Sequence, residues 1–163
     1  MTAYRLTHSR YAEDISGLGA YKSGGRWNPK GYYTLYLSEH PCGAILESLI
    51  HIPPQLIPDD YKLVTFHISD KTRIETIKES ELPRGWRKGK YDLALFQKYG
   101  KEHLLKKDLL GIKIHSSVAY PSYNLVLNPE YKEFTKYLKI IEVKPYIFDP
   151  RLSNLFTILS YNQ

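Results

Sequence analysis

The chain has 163 residues, 42% of them apolar and 25% charged, with one cysteine and a formal net charge of +6. That length fits a single domain with its own core; one cysteine excludes an internal disulfide framework, and no apolar run reaches the ~20 residues needed to cross a bilayer. The opening MTAYRLTHSRYAED lacks the apolar heart of a secretion signal, so a cytoplasmic protein without membrane association is expected, and its basic balance favours an anionic partner.

Tyr4-Arg5-Leu6 starts a first strand, on which Arg5 is either an exposed cation or one that faces a pocket. Gly17, Gly19, Gly24 and Gly25 predict a loop able to approach a ligand. Two glycines ahead of Arg26 could free backbone N–H groups for an anion nest beside a guanidinium. Asn28-Pro29-Lys30-Gly31 predicts a reversal, and the aromatic, β-branched run Tyr32 to Leu37 predicts a buried strand. Ser38 is then the expected N-cap, and Pro41 fits the first turn of a helix running to about His51. Cys42, Ile45, Leu46, Leu49 and Ile50 share one side at the helical period and are predicted to face the core. Glu47 borders that stripe, as a solvated edge residue or as an acid aimed into a cleft.

Ile52 to Asp60 contains three prolines and predicts an irregular connection. Tyr61 to Ile68 alternates as a strand should, and Thr72 to Ile77 predicts another. Trp86 stands among Arg84, Arg87, Lys88 and Lys90; it is read as a tryptophan packed at a loop's base amid solvated cations, the alternative being RNA contact. Tyr91 to Tyr99 and Lys101 to Lys107 predict a helical region interrupted at Gly100, and Leu109 to Ile114 returns to strand. Ser116 and Ser117 follow, where hydroxyls often cap or turn a chain. Tyr120 to Tyr123 predict a turn, Asn124 either fixes the next loop or bonds substrate, and Tyr137 to Val143 predicts a last strand. Asp149 and Arg151 could form a structural ion pair.

Several chemistries are disfavoured. There is no HExxH pair and no multi-thiolate set, so a metal is not expected. Cys42 beside His40 is an unconvincing nucleophile because Cys42 belongs to the apolar stripe. Neither GxxxxGK[ST] nor GxGxxG occurs.

GGRWN (Gly24 to Asn28), the aromatic strand through Tyr36, Ser38-Glu39, Leu46-Glu47, LPRGW (Leu82 to Trp86), HSSVAYPSYNLVLNP (His115 to Pro129) and FDPRL (Phe148 to Leu152) follow one another as in the RES domain of bacterial toxin–antitoxin systems. The chain resembles that family over nearly its whole length. The resemblance implies an α+β fold, a compact single domain over 1–163 with its core near 3–153. Its split mixed β-sheet would be flanked by helices in an ADP-ribosyltransferase-like arrangement.

It also implies NAD+ as a substrate that is consumed, by cleavage between nicotinamide and ribose. Positive charge develops on the sugar in such a step, and a carboxylate, here Glu47, would stabilise it. On the same resemblance Tyr36 would orient nicotinamide, Arg26 and Arg5 would hold the pyrophosphate or neighbouring polar groups, and Ser117 would place a hydroxyl near the ribose, with Asn124 in the binding set. The family usually has proline before its namesake serine, where this chain has Ser116; Ser117 is the serine favoured. The acceptor would be water, phosphate or a protein side chain. An Xre-type antitoxin is the implied partner, with any operator binding made through it rather than by direct nucleic-acid contact. The alternatives are a basic RNA-binding protein or ribonuclease, and an inactive partner that keeps only an antitoxin-binding surface.

Overall fold

The computed structural model describes residues 1–52, 59–87 and 91–152. In chain order the regular elements are β1 (Thr2–His8), α1 (Leu18–Ser23), β2 (Leu35–Ser38), α2 (Pro41–Leu49), β3 (Tyr61–Ile68), β4 (Ile74–Thr76), α3 (Leu93–Leu104), β5 (Gly111–His115), β6 (Tyr123–Leu127), α4 (Phe134–Tyr137) and β7 (Leu138–Tyr146). The strands form a mixed sheet in the order β4-β5-β6-β2-β1-β3-β7, parallel at β4/β5 and antiparallel elsewhere. The fold is α+β, and no helix among the described residues is long and apolar enough to cross a membrane.

The sheet is split at its middle. β1 runs alongside β3 over seven residue pairs but meets β2 at one, Tyr4 opposite Ser38. The strand alternation assigns each half an inner and an outer face. Leu35 and Leu37 of β2 and Leu125 and Leu127 of β6 join Ala3, Val64, Phe66 and Ile68 in one shared core. On the outer face of the β5/β6 half, Ile112, Ile114 and Val126 pack with Trp27, Trp86 and Phe96 of α3. On the outer face of the other half, Leu6 packs with Leu49 and Phe148, and Ile45 and Leu63 pack against them.

Several expectations need correction. The glycine-rich loop contains α1, and β2 begins three residues later than predicted, at Leu35. Ser38 is not the N-cap of α2: it ends β2, and His40 occupies the cap without a side-chain bond. The apolar stripe of α2 is divided between surface, cavity and core. Cys42 is exposed, as are Leu46 at 43% and Ile50 at 57%, while Ile45 and Leu49 reach the core. The reason is that the inward side of this helix is small and polar: Ala44, Glu47 and Ser48 line a cavity. The predicted break at Gly100 is absent, because α3 runs through it and a Cβ there would fall on the Trp27 carbonyl. The connection predicted over 52–60 and the cations Lys88 and Lys90 lie largely or wholly outside the described residues.

Candidate active site

A cavity of about 930 Å³ lies over the seam between the half-sheets, and Arg5, Arg26, Tyr36, Glu47, Ser117 and Asn124 all line it. The six side chains named from sequence thus share one hollow, although they come from six places in the chain.

The GGRWN corner is built around Asn28. This residue is fully buried and donates from Nδ2 to the carbonyls of Ala20, Pro29 and Tyr32. Its Oδ1 accepts from the Tyr36 hydroxyl at 2.7 Å, and that hydroxyl accepts from Trp27 N–H at 3.1 Å. A Cβ at position 25 would stand 2.6 Å from the same hydroxyl, so only glycine fits. Burial pushes the Tyr36 hydroxyl above the ordinary phenol range despite the opposing bonds to Trp27 and Asn28. Tyr36 therefore offers the cavity a neutral ring whose hydroxyl is already engaged in holding the loop.

Arg26 leaves that corner through an aromatic sleeve, 4.3 Å from the Tyr91 ring centroid and 5.0 Å from that of Phe96. Its guanidinium donates to Ser117 Oγ at 2.5 Å and to the Trp86 carbonyl. Burial lowers its pKa, opposed by Tyr91 and Glu47. Arg5 also lines the cavity, but its guanidinium turns to the carbonyls of Tyr11 at 2.6 Å and Ala12 at 3.5 Å. Its pKa falls to about 10 through burial, with Asp14 opposing.

Glu47 is held by two side chains, one of them braced by a third. Its Oε1 accepts from Ser116 Oγ at 2.6 Å and from Asn124 Nδ2 at 2.6 Å, while Asn124 Oδ1 accepts from Ser38 Oγ at 2.7 Å. Ser38 and Asn124 face each other across the β2/β6 ladder, so strand register aims the amide at α2. Oε2 of Glu47 has no hydrogen-bond partner among the described residues. The result is an oriented carboxylate that lines the cavity, an arrangement suited to stabilising positive charge on a bound molecule.

The adjacent serines have different partners. Ser116 is 1% exposed, bonds Glu47 and accepts from Val118 and Ala119 N–H; Ser117 bonds Arg26. Sequence reasoning overlooked Ser116 as the carboxylate's partner, and it overlooked Asn28, Tyr91, Arg87 and His115. The last three line the cavity, and Asn28 secures the loop beside it. Trp86 is a core residue, as expected, 7% exposed and stacked on His115 at 5.8 Å.

Comparison with known proteins places the chain in a family. The RES domain family pattern matches residues 2–149. A Yersinia enterocolitica protein named Toxin Res is 33% identical over 93% of this chain and 99% of its own length. The Prs ADP-ribosylating toxin of a Sphingobium species is 27% identical over 86% of this chain and 88% of its own length. The solved M. tuberculosis MbcT–MbcA toxin–antitoxin complex contains a chain that superposes with a TM-score of 0.71 at 18% identity, over 98% of this chain and 88% of that one, which shows a common fold. Family pattern, relatives and architecture together make this chain a member of the RES domain family.

Proposed function

We propose that this chain is the toxin of a toxin–antitoxin pair and that it consumes NAD+ by cleaving the bond between nicotinamide and ribose. The observation that carries this reading is the fixed Glu47, which lines the cavity with its Oε1 bonded to Ser116 and Asn124. The relatives' names support it: one is an ADP-ribosylating toxin, a class of chemistry for which NAD+ is the donor, and others are named Toxin Res.

In the proposed step the C–N bond of the ribosyl pyridinium breaks and its electron pair leaves with neutral nicotinamide. The Glu47 carboxylate stabilises the positive charge that develops on the ribose. An acceptor then bonds to the sugar carbon and releases its proton; water, phosphate or a protein side chain each balances the reaction. Tyr36 presents its ring to nicotinamide, Ser117 and Asn124 meet the ribose side, and Arg26 and Arg5 give the cavity positive potential for the pyrophosphate. A separate antitoxin, of the Xre type that the family resemblance implies, is the proposed protein partner.

Nicotinamide release from NAD+ by the purified chain tests this reading, with Glu47→Gln as the control. The amide oxygen of glutamine can accept both bonds that Oε1 now receives, so the fold is retained while turnover falls at least ~100-fold, the scale expected for losing an aimed electrostatic stabiliser. Full turnover in Glu47→Gln would overturn the assignment. Mass analysis of products with and without phosphate identifies the acceptor.

A further inference from the structure

The cavity contains more positive charge than the residues discussed so far account for. Among the described residues its lining carries three arginines, Arg5, Arg26 and Arg87, against one carboxylate, Glu47, and a ligand with two negative charges would balance that excess. Arg5 is engaged with the carbonyls of Tyr11 and Ala12, and Arg26 with Ser117 and the Trp86 carbonyl. Arg87 differs from both. It is exposed, and it has no hydrogen bond or ion pair among the described residues.

Its position is nevertheless fixed by packing. The Arg87 guanidinium lies 4.0 Å from the Tyr120 ring centroid and 5.8 Å from that of Trp86. Tyr120 rests against His115 at 5.5 Å and Trp86 at 6.2 Å, and Trp86 belongs to the core. The turn at Gly85, with φ of 86°, buries Trp86 and leaves the next residue on the cavity rim. A guanidinium held near aromatic rings by cation–π attraction, with no hydrogen bond of its own among the described residues, keeps N–H groups for a bidentate anion contact.

We propose that Arg87, mounted on Tyr120 and Trp86, is the residue that hydrogen-bonds the pyrophosphate and makes this site select a dinucleotide over an unphosphorylated pyridinium riboside. The inference rests on the NAD+-cleaving reading of the cavity. Arg87 touches no reacting atom; it acts on substrate affinity.

Steady-state cleavage of NAD+ and of nicotinamide riboside by wild type, Arg87→Ala and Arg87→Lys tests it, alongside calorimetric binding of ADP. Arg87→Ala raises KM for NAD+ about tenfold, the cost of one charge-assisted contact, with kcat changed far less. The penalty on NAD+ exceeds that on nicotinamide riboside several-fold, ADP binding weakens in parallel, and Arg87→Lys recovers part of the loss. Equal penalties on both substrates, or unchanged NAD+ kinetics and ADP binding, would overturn the proposal. A wild-type protein that cleaves neither substrate refutes the NAD+ reading instead, and ADP binding then decides the anion assignment alone: weaker binding in Arg87→Ala supports it and equal binding ends it.

Discussion

The hydroxyl of Tyr36 donates to Asn28 Oδ1 at 2.7 Å, tying the middle of β2 to the loop that delivers Arg26. Tyr36→Phe would keep the ring and remove this tie, leaving the buried Asn28 oxygen and Trp27 N–H without their partner. The expected loss is about 1–3 kcal/mol of stability, with a drop in NAD+ turnover as Arg26 loosens. Urea unfolding and nicotinamide release check both; a phenylalanine variant as stable as wild type would show that the tie is not structural.

The same hydroxyl has a pH signature. Burial holds its folded pKa above the ordinary phenol range, so between the unfolded and folded values the native state binds more protons than the unfolded state. The stabilisation is therefore complete below the unfolded pKa and is lost as pH rises beyond it. Unfolding midpoints of wild type and Tyr36→Phe should converge progressively above pH ~10. A gap that stays constant into the alkaline range would refute this coupling. Arg5, whose pKa is lowered to about 10, is present in both proteins and cancels from the comparison.

Ser116→Ala and Ser117→Ala separate two kinds of serine. The first removes a donor to Glu47 and an acceptor for Val118 and Ala119 N–H, whereas the second removes one acceptor from Arg26. Ser116→Ala should cost about 1–2 kcal/mol of stability and lower kcat, and Ser117→Ala should cost less than about 1 kcal/mol while affecting turnover through Arg26. Thermal unfolding with parallel kinetics decides it; equal stability losses in the two variants would contradict the division.

Gly100→Ala is expected to destabilise despite its place inside α3. Helix propensity alone favours alanine by about 1 kcal/mol. The added methyl would meet the Trp27 carbonyl, backbone of the loop that positions Arg26, and overpacking of this kind costs about 1–3 kcal/mol. A lowered melting temperature with weakened NAD+ turnover is the outcome to look for, and a stabilised variant would show that the loop yields.

Local pattern carried much of the fold. β3 matches its alternating run over Tyr61–Ile68, and β1, β4, β5 and β7 appear where β-branched and aromatic residues concentrate. Pattern failed where a cavity replaces part of a core face: α2 turns its small and polar side toward the cavity, so Cys42 and Leu46 of the stripe are left exposed while Ile45 and Leu49 reach the core. β6 was hidden because Tyr123 was assigned to the preceding turn and Asn124 to loop fixing or substrate bonding, whereas strand register sets Asn124 to hold Glu47. The shared placement of Glu47, Tyr36, Arg26 and Ser117 came from family resemblance; no periodicity could bring residues from 26 to 117 together. Ser116 lacked a signal because neighbouring hydroxyls look alike until their rotamers and partners are known.

The lone rung between Tyr4 and Ser38 gives the sheet a line of sparse backbone pairing beside the cavity that Glu47 lines. α2 is the beam laid over that line, packing on both β1 and β2. Any molecule that grips both banks at once acts as a rivet, and its grip is felt as cohesion of the entire body rather than of one wall.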